Sequence, residues 1–230
     1  MKLKIFLFTI FFLASKIGYA ESRYFGELRY INPIFSTGEN QDNQAPADAN
    51  FPSGSKIYTD ENKEFAVAFG IDFLNQHSLS LSFEQKNTGW EQKNFVAPVG
   101  TSYDYINRDI DIKNLLLEYV YSYPFNNRLK LNAILGVGIS HLENDDVTNY
   151  SVNSGVVTGS TTDTPGHGIY DLSNKIGIGI EGQLTDTSSI NLSWVRVDYG
   201  TAEANKGNLR PSLETNIVEE QIILGLKKYF

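Results

Sequence analysis

Cysteine is absent from the 230-residue sequence, which excludes disulfides and thiolate chemistry. Histidine occurs only three times, so imidazole catalysis and imidazole metal sites have few places to form. Positive charge is scarce. The 19 Lys and Arg residues face 27 Asp and Glu residues, for a net charge of −8. That balance argues against nucleic acid as a partner, because phosphates need a basic footprint. Long apolar runs are missing too. The longest, Ile5 to Ala14, is too short to cross ~30 Å of hydrocarbon as a helix.

That run has a different use. Lys2 and Lys4 precede it, and Gly18-Tyr19-Ala20 places small residues at positions −3 and −1 of a cut after Ala20. A charged segment, a short apolar segment and a small-residue site together read as a secretory signal peptide. The expected organisation is a signal peptide over 1–20 and a single barrel domain over 21–230. Loss of Lys2, Lys4 and Lys16 takes the net charge to −11.

What the rest of the chain has is a period of two. In "EFAVAFGIDFL", Phe65, Val67, Phe69, Ile71 and Phe73 alternate with Ala66, Ala68, Gly70 and Asp72. Successive side chains of a strand point to opposite faces, so this is a strand with one apolar face. The pattern recurs with Leu79, Leu81 and Phe83, with Leu129 to Ile139, and with Leu172 to Leu184. Four less regular strands lie near 24–34, 109–123, 188–199 and 216–230. The phase of the seventh is expected to slip at Trp194-Val195, as a bulge would cause. Tight turns follow the second, fourth and sixth strands, at Asn75-Gln76, Pro124 to Arg128 and Asp186-Thr187. Long polar segments follow the others, near 35–63, 89–108, 142–170 and 200–214. They are rich in Asn, Asp, Gly, Ser and Thr and read as loops.

One motif suggests a nucleotide. Gly177-Ile178-Gly179-Ile180-Glu181-Gly182 spells G-x-G-x-x-G. The dinucleotide fingerprint needs a helix opening on its glycines, and here they lie inside a period-two strand. Gly136, Gly138, Gly177 and Gly179 instead share the polar face of adjacent strands. Glycine there removes bulk and lets a sheet bend.

Alternation does not say which face is inside. A soluble lipocalin-like barrel turns its apolar face in; a membrane barrel turns it out. Apolar stripes of about ten residues or fewer suit a tilted bilayer crossing. Short and long connections alternate as periplasmic turns and external loops do. On this reading Tyr24, Tyr30, Phe73, Tyr119, Tyr121, Tyr123, Phe125, Tyr199 and Phe230 form interfacial girdles. Glu27, Arg29, Asp72, Glu84, Glu118, Lys130, Lys175 and Glu181 face the interior, as do Lys86, Glu219 and Lys227. Both signs are present, so these charges pair and fill a lumen with little spare room.

The last strand carries a resemblance. Ile222, Leu224 and Leu226 at alternate positions before a terminal Phe230 look like the C-terminal assembly signal of bacterial outer-membrane proteins, with Lys228 as a departure. With the signal peptide and eight strands, the chain resembles the small-barrel group that holds the OmpA membrane domain, the OmpX/Ail proteins and the opacity proteins. The resemblance implies an all-β, eight-stranded antiparallel up-and-down transmembrane barrel in a Gram-negative outer membrane. It implies as partners outer-membrane lipid and lipopolysaccharide, the barrel-assembly machinery and periplasmic chaperones. A monomer without cofactor or metal is expected.

Three functions fit such a chain. One is a non-enzymatic surface barrel whose long loops contact a host factor, another cell or lipopolysaccharide. A second is a narrow gated channel for water or small ions. A third is a lipid A-modifying enzyme of the kind that uses a Ser/His pair with an acidic residue. Ser140 and His141 are adjacent, so they point to opposite faces of a strand. His141 with Ser173 or Glu143 is the remaining combination. Acidic pairs at Asp109-x-Asp111 and Glu143 to Asp146 lack EF-hand spacing and read as solvated loop. The first function is expected, because sequence variety lies in the loops and loops carry function on rigid scaffolds.

Overall fold

A computed structural model describes residues 22–41, 54–58, 64–95, 102–144, 147–153, 156–164, 167–204 and 213–230. The signal peptide expected over 1–20 lies outside them. Eleven strands are present: β1 (Arg23–Gln41), β2 (Gly54–Tyr58), β3 (Glu64–Phe73), β4 (His77–Phe95), β5 (Ser102–Pro124), β6 (Leu129–Asn144), β7 (Val147–Asn153), β8 (Val156–Thr164), β9 (Gly168–Thr185), β10 (Ser188–Ala204) and β11 (Leu213–Tyr229). Eight of them close a ring in the order β1-β3-β4-β5-β6-β9-β10-β11, every neighbour antiparallel. Closure runs through β1 and β11, from Phe25 opposite Tyr229 to Gln41 opposite Glu214.

The apolar face is outside. Phe69 is 66% exposed, Ile178 63% and Leu226 53%, whereas Glu27, Glu118 and Lys175 between such positions are buried. Leu28, Phe83, Leu115, Leu135, Leu192 and Leu224 continue the belt around the ring. A continuous apolar belt far exceeds the patches that soluble monomers leave in water. It matches the lipid-facing band of a membrane barrel, in which the closed ladder satisfies every backbone group. Tyr24, Tyr121, Tyr123, Phe125 and Phe230 stand exposed at the short-turn end.

Beyond the belt the polarity of the wall inverts. Ile110, Ile112, Leu142, Val195, Val197 and Ile217 point inward and are fully buried, while Asp109, Asp111, Lys113, Glu143 and Arg196 point outward. Water lies outside the wall at that height, so the pattern becomes that of a soluble barrel. This corrects the reading of the seventh strand. No slip occurs at Trp194-Val195: Trp194 faces out, and Val195, Val197 and Tyr199 face in. The bulges lie instead at Ser188/Ser189 and Asp198/Gly200. Gly200 adopts φ +87° there, and Asp171 accepts from the Thr201 N–H at 2.7 Å. Tyr199 likewise leaves the proposed aromatic girdle, because it is wholly buried inside.

The long connections are shorter than their composition suggests. A crossing of the bilayer takes about 9–11 residues, and β5 has 23, β4 19 and β1 19. The β4–β5 ladder continues to Phe95 opposite Tyr103, through residues expected to be loop. Within 142–170 stands a hairpin, β7–β8, with β7 paired to the Ser102–Asn107 stretch of β5. Ladder hydrogen bonds do not depend on side-chain polarity. Above the lipid, strands can therefore be made of Asn, Thr, Ser and Lys. At the other end, Leu74 and Asn75 take φ of 51° and 61° in the β3–β4 turn.

The four inward glycines lie on the adjacent strands β6 and β9, but they serve two purposes. A Cβ on Gly177 would sit 2.5 Å from the Trp194 carbonyl oxygen and 2.9 Å from Val195 Cα, so the neighbouring backbone occupies that space. Gly138 meets Leu116 Cα at 2.9 Å in the same way. Gly136 is different: its Cβ would meet Lys175 Cβ at 3.1 Å and Glu118 Cγ at 3.5 Å, side chains that lean over it. Gly177→Ala is expected to cost roughly 1–3 kcal/mol by overpacking and Gly177→Leu at least as much. Outward Ile178→Leu is expected to be near neutral. Urea unfolding of the barrel in lipid vesicles measures both, and equal stability of Gly177→Ala and wild type would refute the close-approach account.

Candidate functional site: a filled interior and a projecting sheet

Alternation places one inward side chain at every second position, so each strand contributes to several levels of the lumen. The middle level is charge-balanced. Arg29 lies 2.8 Å from Glu27 and 2.7 Å from Glu118, and Lys175 lies 2.7 Å from Glu118. Ser82 donates to Glu118 at 3.0 Å, and Asn191 donates to Glu27. Two anions and two cations thus satisfy one another with neutral donors filling in, as buried charges require. A cavity of about 40 Å³ remains beside them, lined in part by Ser80, Asn132 and Ser193.

Nearer the short turns stand Asp72, Glu181 and Lys227. Lys227 is 3.3 Å from Glu181 and 3.6 Å from Asp72. Tyr229 donates to Asp72 at 2.8 Å, and Ser78 does so at 2.6 Å. Lys130 is on this level, half-buried, with Glu181 opposite it across the ladder but no ion pair to it.

The upper level divides between two walls. β5, β6 and β10 supply Ile110, Ile112, Leu142, Val195 and Val197. β3, β4 and β11 supply Glu64, Glu84, Lys86, Glu219 and Gln221. Lys86 is paired with Glu219 and lies 3.6 Å from Glu64. The Tyr199 hydroxyl donates to Glu84 and accepts from the Gln221 amide at 2.6 Å. Three carboxylates share one ammonium here, and Glu64 Oε2, Glu84 Oε2 and Gln221 Oε1 have no hydrogen-bond partner. Ile110, Ile112, Leu142, Val197, Glu84 and Glu219 are all buried at this height.

The residues expected inside therefore fall into three groups. Glu27, Arg29, Glu118 and Lys175 meet in the middle, Asp72 and Glu181 meet near the mouth, and Glu84 sits in the upper cluster. Glu64, Tyr199 and Gln221 join the upper cluster beside it. Glu64 opens the strand that runs to Phe73, two positions before Ala66 on the polar face. Tyr199 follows Val195 and Val197 at the same spacing. Ile222, Leu224 and Leu226 lie on the outer face of β11, with Phe230 just beyond its end.

The Ser/His combinations do not assemble. Ser140 and Ser173 point inward and both donate to Asn114 Oδ1, at 3.2 and 2.7 Å. The His141 ring packs against Tyr170 at a centroid distance of 4.5 Å on the far face of the sheet. His77 is bonded to the Tyr119 hydroxyl at 2.6 Å near the short turns. Among the described residues no group of three His, Cys, Asp or Glu side chains is arranged to hold a metal ion.

Above the ring, β2-β4-β5-β7-β8 form a continuous antiparallel sheet, with β2 and β8 at its edges. Among the described residues β8 is paired on one side only, to β7.

No family model and no curated protein matches the chain. Solved structures do. The outer membrane protein AlkL, determined in lipid bilayers, aligns over 93% of this chain and 92% of its own, with a TM-score of 0.50 and 13% identity. The chain is an eight-stranded antiparallel barrel that resembles small outer-membrane barrel proteins. Neisserial surface protein A aligns over 90% of this chain and 97% of its own, at 10% identity and a TM-score of 0.48. Ail, the attachment invasion locus protein of Yersinia pestis, aligns over 91% and 99%, at 14% identity and 0.44. At these identities the likeness concerns the fold.

Lys86 pairs with buried Glu219 and lies 3.6 Å from buried Glu64, so Lys86→Met breaks a buried ion pair. A loss of about 3–5 kcal/mol is expected. Arg196→Met, on the outer wall, should change stability by less than about 0.5 kcal/mol. Urea unfolding monitored by tryptophan fluorescence distinguishes them, and a Lys86→Met barrel as stable as Arg196→Met would refute the pairing.

Proposed function

We propose that the chain is a non-enzymatic outer-membrane protein that presents a rigid sheet outside the cell for contact with an external partner. The short turns face the periplasm, and the long hairpins face outward. The observation that carries this reading is the β2-β4-β5-β7-β8 sheet, whose β8 edge has no partner strand among the described residues. A sheet edge offers unpaired N–H and C=O groups to a second strand, and exposed edges are normally blunted by lysine, proline or short length. Val156–Thr164 spans nine residues, has no lysine or proline, and carries a single charge, Asp163. Main-chain pairing at such an edge suits an extended segment of a host or bacterial surface protein.

The channel reading is less well supported. The upper interior is occupied by buried apolar side chains and a bonded polar cluster, so a water path would have to displace both. The enzyme reading lacks its Ser/His contact. Planar-bilayer recordings should show no discrete conductance, and lipid A spectra from cells with and without the protein should agree. The decisive experiment removes 147–164. Whole-cell binding to the partner should disappear, while the barrel keeps its heat-modifiable migration. Retained binding would refute the role of the edge.

Export with cleavage after Ala20, a monomeric state, and delivery by periplasmic chaperones to the barrel-assembly machinery belong to the same reading. β11 closes the ring between β1 and β10, and its outer face carries Ile222, Leu224 and Leu226. Deleting Phe230 should lower outer-membrane levels and raise periplasmic degradation, measured by fractionation. Unchanged levels would remove the assembly-signal role.

A further inference from the structure

The chain is acidic, yet its short-turn mouth is basic. A pocket of about 80 Å³ opens there, between the start of β1, the β5–β6 turn, the β9–β10 turn and the end of β11. That is room for about five waters, or one tetrahedral anion in their place. Arg23, Arg128 and Lys130 line it. Arg23 is held in place: its guanidinium lies 4.3 Å from the centre of the Tyr229 ring and donates to the Asp186 carbonyl at 2.5 Å.

The carboxylate nearest by sequence register does not neutralise this set. Glu181 stands opposite Lys130, but its oxygens are engaged by Lys227 at 3.3 Å, Ser189 at 2.9 Å and Tyr229 at 3.3 Å. Neither Arg128 nor Lys130 has a carboxylate partner among the described residues. Asp186 is the other acid of the lining, and Lys227 also lies 3.6 Å from Asp72, so the four cations Arg23, Arg128, Lys130 and Lys227 outnumber Asp72, Glu181 and Asp186 by one charge. Lys130 matters most, because it is half-buried and an unpaired ammonium in that position has given up part of its hydration.

We propose that this mouth is a phosphate-binding pocket. Two guanidinium groups and an ammonium, from the start of β1, the β5–β6 turn and the start of β6, line the pocket and supply charge-assisted donors of the kind that bind phosphate oxygens. A surplus of one positive charge suits a phosphate monoanion or a phosphodiester. The side-chain amides of Asn127 and Gln183 are in the same lining and add neutral donors. The phosphate is either a free anion or the headgroup of an anionic lipid in the adjoining leaflet. The proposal needs only the barrel and its mouth, and stands apart from the surface-contact reading at the other end.

The test uses the full barrel refolded in a sugar-headgroup detergent, with inorganic phosphate followed by calorimetry and by the amide resonances of Lys130 and Gln183. Saturable binding is expected, with acetate at least tenfold weaker. The double variant Arg128→Gln/Lys130→Gln should lose at least tenfold in affinity while keeping heat-modifiable migration. Lys228→Gln, exposed at the same end but outside the pocket, should bind as wild type does. In nanodiscs, a shift of the same resonances with phosphatidylglycerol but not phosphatidylcholine assigns the phosphate to lipid. A shift with free phosphate alone assigns it to the solute. No saturable response to either, equal binding of acetate, or a double variant that binds like wild type would each overturn the pocket.

Discussion

The ladder between β1 and β11 is the constraint on which the rest depends. In hydrocarbon an unpaired N–H or C=O has no water to turn to, so a sheet in lipid must close. Closure of eight strands leaves a lumen only wide enough for side chains. The chain must then fill that lumen without voids, and fill it with groups that do not compete for the lipid face. Alternation answers both needs, because each strand sends Leu, Ile or Phe outward and Glu, Lys, Ser or Gly inward. Gly138 and Gly177 follow from the same closure, since the neighbouring backbone occupies the space a Cβ would need, whereas Gly136 leaves room for Lys175 and Glu118.

Filling a narrow lumen with charge works only when the charges arrive in pairs. Arg29, Glu118 and Lys175 come from three strands and meet at bonding distance in the middle of the barrel. Desolvation makes an unpaired member of such a set expensive, so the set also specifies register. A one-residue slip of any contributing strand would turn its charge to lipid. Higher up, lipid no longer covers the wall, and apolar packing takes over half of the interior. The same strands thus act as a membrane barrel below and as a soluble barrel above. The upper part forms the rigid base from which β7 and β8 continue the sheet.

The two ends of the molecule accordingly differ in chemistry. The hairpin end carries β8, the last strand of the sheet among the described residues. The short-turn end offers cations around a small pocket, in a chain whose overall charge is strongly negative. Between them lie the paired charges of the middle level and the buried apolar side chains above it.

Alternation alone determined that the chain is all-β, how many strands cross the lipid, and which residues of the regular strands share a face. Phe65 to Phe73 and Ile176 to Ile180 could be assigned from spacing, because a period of two has one structural meaning. The upper strands could not be assigned so. Val195, Val197 and Tyr199 keep the period but reverse its polarity, since water replaces lipid outside them. Nor does the polar composition of 89–108 or 147–164 reveal strands, because ladder hydrogen bonds come from the backbone. The partners were decided only by the tertiary structure. Arg29 and Glu118 are 89 residues apart, and Lys86 and Glu219 are 133 apart. No local pattern records which charge will face which, because that depends on the strand order and register fixed when the ring closes.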